Sequence, residues 1–133
     1  MYLFDTDILT NIVKPRPSAN VLARLQHIPQ EQQFVSTITI SEIVYCAMKS
    51  QRPDYHLNML ENVLLPAVNI IGFDAKAAYI CGRLRAELEK LGTSLALADL
   101  EIAGIAIAND FILVTHNLRY FGRIELLKCE SWI

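Results

Sequence analysis

No apolar run in this chain comes near the roughly 18 consecutive residues that a membrane-spanning helix needs, because Asp, Glu or Gly interrupts each one. No basic segment precedes the strand-like sequence that begins at Tyr2, so the expectation is a cytoplasmic protein without membrane contact. Cysteine is scarce too. Cys46, Cys81 and Cys129 are odd in number and far apart, which excludes a disulfide framework and a zinc knuckle and leaves reduced thiols. His27, His56 and His116 have no spacing that would let two of them share a metal. Positive charge is not in excess: 12 Lys and Arg against 14 Asp and Glu give a formal charge of -2, so the surface as a whole does not attract a polyanion. If nucleic acid is the substrate, local cations and a bound metal must hold it. Internal repeats and low-complexity tracts are absent as well.

What is present is enough apolar material, 53% of 133 residues, for one domain over residues 1–133 with a sizeable core. Tyr2-Leu3-Phe4 reads as a buried strand, followed by a short helix from Ile8 to Val13 that Lys14-Pro15-Arg16-Pro17 ends. Ser18 caps a helix closed by Pro29. Phe34-Val35-Ser36 is a second strand, Thr39 opens the next helix, and Pro53 starts another that stops before Pro66. Val68 to Phe73 is a third strand. Asp74 caps a long helix from Ala75 to Leu91 with Gly92 as its stop, and an apolar helix runs from Leu95 to Ala108. Phe111 to Thr115 and a short strand near Leu126 to Cys129 complete the pattern. Strands separated by helices give an α/β fold with a parallel central sheet of four to five strands and helices on both faces.

The acids are where the chemistry lies. Asp5 and Asp7 sit at the carboxyl end of the first strand, Glu42 shortly after the second, and Asp99 near the start of the helix that feeds the fourth. In an open α/β sheet, strand ends and helix starts share the edge that faces the ligand crevice. Two carboxylates one residue apart repel each other unless a cation or a shared proton relieves them. Each acid also has a plainer role. Thr6 or Asp7 can cap the helix that follows, Glu42 can close a capping box with Thr39, and Asp99 can serve as a helix-dipole acid. Against the last stands its apolar neighbourhood, Leu95 to Ile102, with no Lys or Arg within eight residues on either side. A buried charge there needs a partner. Carboxylate oxygens suit Mg²⁺ or Mn²⁺, and such an ion both activates water and offsets charge on a phosphodiester.

Taken together, Leu3-Phe4-Asp5-Thr6-Asp7-Ile8-Leu9, Ser36-Thr37-Ile38-Thr39-Ile40-Ser41-Glu42-Ile43, Asp99-Leu100-Glu101-Ile102-Ala103-Gly104 and Leu113-Val114-Thr115-His116-Asn117 with Phe121, then Trp132 near the end, resemble the PIN-domain ribonucleases of the VapC toxin family. The resemblance covers nearly the whole chain, in order. It implies a PIN-like domain and a Mg²⁺- or Mn²⁺-dependent endoribonuclease. It also implies the toxin half of a toxin–antitoxin pair, inhibited by a VapB-like antitoxin that inserts near the active site, and a homodimer. By position, Asp5, Glu42 and Asp99 match the family's metal-binding, catalytic acids, and Thr6 and Thr115 match its supporting hydroxyls. Where the family commonly has a fourth acid, this chain has Asn117 and Tyr120. Where the family more often has Asn, this chain has Asp7. Asn117 can still offer its amide oxygen, and Asp7 is a further candidate ligand that would compensate for the missing charge. Lys14, Arg16, Arg119 and Arg123 are the candidate phosphate-contacting cations for an RNA, or else ordinary solvated charge.

Two rival readings remain. A haloacid-dehalogenase-like phosphatase also opens with a strand and Asp-x-Asp, where the first acid is a nucleophile, but it needs a later Lys and a paired acidic motif that this chain lacks. A catalytically weakened PIN domain that only binds RNA or its antitoxin is the other.

Overall fold

The computed structural model describes residues 1–133. Its elements follow the alternation of strand and helix set by the sequence: β1 (Tyr2–Phe4), α1 (Thr6–Ile12), α2 (Ala19–Gln26), a 3-10 turn at Gln30–Gln32, β2 (Gln33–Ser36) and α3 (Thr37–Lys49). Then come α4 (Pro53–Met59), a π turn at Leu60–Leu64, a 3-10 turn at Leu65–Ala67, β3 (Asn69–Ile71), α5 (Ala75–Lys90), α6 (Leu97–Ala108), β4 (Ile112–Val114), α7 (Leu118–Phe121) and β5 (Cys129–Glu130). The five strands form one sheet in the order β3-β2-β1-β4-β5, and every neighbouring pair is parallel. The chain starts in the middle, builds outward through β2 and β3, then crosses to the other side for β4 and β5. That reversal of strand order between β1 and β4 opens a crevice at their carboxyl ends.

Alternate strand residues point to opposite faces, and each face has its own core. Leu3 and Leu113 pack under α5 and α6, against Ala77, Cys81, Leu84, Ile102 and Ala106. Phe4, Val35 and Val114 pack on the other side, against Ile8 and Leu9 of α1, Val21 of α2, Ile43 of α3 and the buried Leu60 and Leu64. Trp132 closes that second core. The rings of Tyr2 and Phe4 meet it edge-on at 5.4 and 5.5 Å, its Nε1 donates to Glu130 Oε2 at 3.0 Å, and the Arg24 guanidinium lies 5.0 Å above it.

α5 and α6 cross where Gly104 has no side chain. A Cβ there would stand 2.7 Å from the Ala77 carbonyl oxygen and 3.2 Å from Cys81 Cβ, so the small residue sets how closely the two helices approach. No helix is long and apolar enough to cross a membrane.

The structure corrects several sequence-based boundaries. The first helix begins at Thr6, and its N-cap is Asp5 rather than Thr6 or Asp7. The third begins at Thr37 with Ser36 as its cap: Ser36 Oγ accepts from Thr39 N. That leaves Glu42 outside any capping box. β2 ends at Ser36, so the turn comes earlier than the Thr39-to-Glu42 pattern implies. The helix begun by Pro53 continues past the expected stop by first widening into a π turn and then tightening into a 3-10 turn that contains Pro66. α6 starts at Leu97, β5 falls at Cys129–Glu130, and α7 is an element that the sequence pattern does not announce. The caps at Ser18 and Asp74 and the stop at Gly92, where φ is +74°, are as expected.

Candidate active site

The crevice between β1 and β4 gathers the acids. Asp5 follows β1 directly, and its backbone N–H still bonds to the Val114 carbonyl at 2.9 Å. The sheet thus runs up to the residue whose side chain then leaves it. That carboxylate is 5% exposed. Its Oδ1 accepts from Thr6 N at 2.8 Å and its Oδ2 from Thr115 Oγ1 at 2.8 Å. The Thr115 hydroxyl has no freedom in this: its oxygen accepts from Asn117 N at 3.0 Å, which directs its proton to Asp5.

Glu42 arrives in the second turn of α3. Thr6 Oγ1 donates to Glu42 Oε1 at 2.9 Å, with Thr39 Oγ1 3.5 Å from the same hydroxyl and Ser36 Oγ 3.3 Å beyond that. The charged acceptor at the shorter distance takes the proton. Asp7, in the first turn of α1, accepts the His116 backbone N–H on Oδ2 at 3.1 Å. Asp99 lies in the first turn of α6.

These four carboxylates feel one another. Asp99 is pushed up to about 6, first by burial and then by the charges of Asp5, Glu42 and Asp7. Burial also raises Asp5, against the two hydrogen bonds from Thr115 and Thr6 that favour its charged form. Asp7 is raised by burial and next by the charge of Asp5, with the His116 backbone N–H pulling the other way. No Lys or Arg relieves this crowding. The three ion pairs of the chain, Arg24–Glu130, Arg85–Glu89 and Lys128–Asp110, all lie elsewhere.

The donor set is therefore oxygen only, which is what a hard divalent cation takes. One acceptor is already orphaned: Asp7 Oδ1 is buried with no hydrogen-bond partner. The groups do not form a finished cage, since no three acids, histidines or cysteines are disposed to hold an ion as they stand. An ion that keeps several waters and takes only one or two carboxylates directly suits so open an arrangement.

Of the other candidates, Asn117 contributes its backbone to Thr115, while its side chain is exposed and caps nothing. Arg119 and Arg123, both exposed, lie in and just after α7, which follows β4, with the Arg123 guanidinium 5.6 Å from the exposed Tyr120 ring. Lys14 and Arg16 are exposed past the far end of α1, about 10 Å along the helix from Asp5. Lys14 lines a largely apolar groove of about 530 Å³ between α1, α3 and α4, bounded also by Thr6, Val13, Ile43, Ala47 and Met59. Ser36 and Thr39, expected as a strand end and a helix start, also form the hydroxyl chain behind Thr6 and Glu42. Both are fully buried hydroxyls, and the signal available was their place in a polar run joining an apolar strand to an apolar helix.

Comparison with known proteins agrees with this geometry. The family model described as PIN domain matches residues 2–126. Ribonuclease VapC2 of Haemophilus influenzae is 34% identical over 99% of this chain and 98% of its own length. The tRNA(fMet)-specific endonuclease VapC of Shigella flexneri is 34% identical over 98% of this chain and 97% of its own. A crystal structure of VapBC2 from Rickettsia felis, bound to a DNA fragment from its promoter, contains a chain that superposes with a TM-score of 0.91 at 32% identity, covering 99% of this chain and 98% of that one. A fold reversed at β1 and β4, an acid cluster at that reversal and full-length similarity to these proteins lead to one conclusion: this chain belongs to the PIN-domain family, among its VapC-type members.

Proposed function

We propose that this chain is a divalent-metal-dependent endoribonuclease, the toxin of a VapBC-type pair, which hydrolyses RNA phosphodiester bonds. The observation that carries the reading is the pooling of carboxylates from β1, α3 and α6 in one crevice with no cation of the chain to neutralise them. Asp5, Glu42 and Asp99 would hold Mg²⁺ or Mn²⁺. Bound there, such an ion supplies Lewis-acid chemistry, making a water more acidic and offsetting charge on the phosphate oxygens. The chain's own part is positioning. Thr115 and Thr6 each donate a hydrogen bond to an acid, which fixes Asp5 and Glu42 in orientation. Burial of Asp5 keeps bulk water from competing for its oxygens. Arg119 and Arg123, with Lys14 and Arg16 as an extension, would be the cations that contact the RNA phosphate backbone; such contacts position RNA without reading its sequence.

The VapBC2 complex named above supports a VapB-like antitoxin as partner; a homodimer and a cytoplasmic location complete the proposal. The groove along α1 and α3, which reaches Thr6 at the edge of the acid cluster, offers a partner apolar surface beside the site. Because one relative is named as a tRNA(fMet)-specific endonuclease, tRNA is the first substrate to try. Purified chain is expected to cleave RNA with Mg²⁺ or Mn²⁺, to stop with chelator, and to stop with Asp5→Ala or Asp99→Ala while staying folded. Cleavage that survives both substitutions ends the assignment to these residues. The neutral Asn117 and Tyr120 favour a second reading, a weakened nuclease kept for binding, which RNA binding without cleavage at any metal concentration would select.

A further inference from the structure

Among the four acids, Asp7 is set apart by the unequal state of its two oxygens. Oδ2 is tied to the His116 backbone N–H at 3.1 Å. Oδ1 is buried and bonded to nothing, the one buried side-chain oxygen or nitrogen in the chain left in that condition. Leaving a buried acceptor unpaired is costly, and the neighbouring Ile8 backbone N–H, which also favours the charged form of Asp7, leaves Oδ1 without a hydrogen bond. Asp5 already caps α1, and Asp7 adds a first-turn charge to that helix, a role that does not require one of its oxygens to be buried and unpaired. Nor can the free oxygen simply rotate out to solvent, because doing so would break the bond to His116. On the flank of the crevice beyond β4, the exposed residues Asn117 and Tyr120 bring no charge.

Resting on the reading of the crevice as a divalent-cation centre, we infer that Asp7 is a further cation ligand of this site: Oδ1 is the acceptor kept for the ion, and the His116 N–H is the tether that aims it. Asn would not serve in its place. Its single oxygen would have to stay on His116 N, which puts an NH₂ donor where the cation requires an acceptor. Asp7 thus supplies from α1 the negative charge that the segment after β4 lacks.

The test is a Mn²⁺ titration of the full chain, followed by the electron paramagnetic resonance of free Mn²⁺, on wild type, Asp7→Asn and Asp5→Asn, with metal-free melting curves as the check on folding. Asp7→Asn is expected to keep its fold, through the retained bond to His116, and to weaken Mn²⁺ binding about tenfold or more, the lower range for disturbing a metal's surroundings. Unchanged affinity in Asp7→Asn, with binding lost in Asp5→Asn, overturns the inference and leaves the nuclease reading standing. Wild type that binds no Mn²⁺, or binding untouched in both variants, removes the cation centre itself and the inference with it. Asp7→Ser, too short to reach an ion from α1, is measured alongside in case Asp7→Asn does not fold, and is held to the same tenfold criterion.

Discussion

The two ends of α6 show how differently one helix can be used. From Leu100 to Ala106 it is buried in an apolar layer against α5, close enough that Gly104 leaves no room for a methyl group. One residue earlier, Asp99 faces three other carboxylates and no cation. The first region has its contacts satisfied and serves stability. The second keeps like charges together at a cost, which the packed part of the same helix offsets. Stability and chemistry therefore respond to different substitutions, and the contrast can be broken from either side.

The largest effect is expected at the acids. Asp5→Ala or Asp99→Ala should lower RNA cleavage by at least about a hundredfold, the scale for losing a group that stabilises developing charge. Metal-free melting temperature should not fall in Asp99→Ala, because removing one of several crowded carboxylates relieves repulsion. A kinetic assay paired with thermal melting checks both halves. Gly104→Ala should do the reverse, destabilising by about 1–3 kcal/mol through overpacking while leaving Mn²⁺ affinity unchanged. Equal loss of both would dissolve the separation between the two regions.

Smaller shifts sharpen the comparison. Thr115→Ala removes the donor that holds Asp5 Oδ2 and should cost about 1–3 kcal/mol of stability as the carboxylate is left short of a partner. It should also move the acidic limb of the pH–activity profile upward, since a bond favouring the charged form is gone; Thr115→Ser should restore it. In the metal-free chain, Asp99 held near 6 binds its proton more tightly folded than unfolded. The stability this adds is present at low pH and lost as pH rises from about 4 through 6. Asp99→Asn should flatten that part of a melting-temperature profile. The smallest effects are expected at Arg119 and Arg123: each change to Ala should weaken RNA binding modestly and reduce its salt dependence by about one phosphate contact.

Much of this layout was legible in the sequence because periodicity places Asp5, Glu42 and Asp99 at strand ends and helix starts, and a parallel sheet sends all of those to one edge. What could not be read was anything resting on backbone groups or on rotamers. The His116 N–H that holds Asp7 belongs to no motif. Ser36 is at once the last residue of β2 and the cap of α3, and that double use moved the helix start ahead of Thr39 and freed Glu42 for Thr6. α7 is one turn long, below the length at which helical spacing shows. The run from Leu60 to Ala67 has helical composition, and nothing in its spacing marks the change to a wider π turn and then a tighter 3-10 turn.

The most direct test of the pooled acids is the rise in melting temperature on adding saturating Mn²⁺, measured at pH 7.5 and at pH 5 in wild type and Asp5→Asn. A ligand at about a hundred times its dissociation constant stabilises a fold by about 2.7 kcal/mol, and Asp99 must lose its proton to take part. A clear rise at pH 7.5, little at pH 5 and none in Asp5→Asn is the expected result. An equal rise at both pH values, or the same rise in Asp5→Asn, would contradict it.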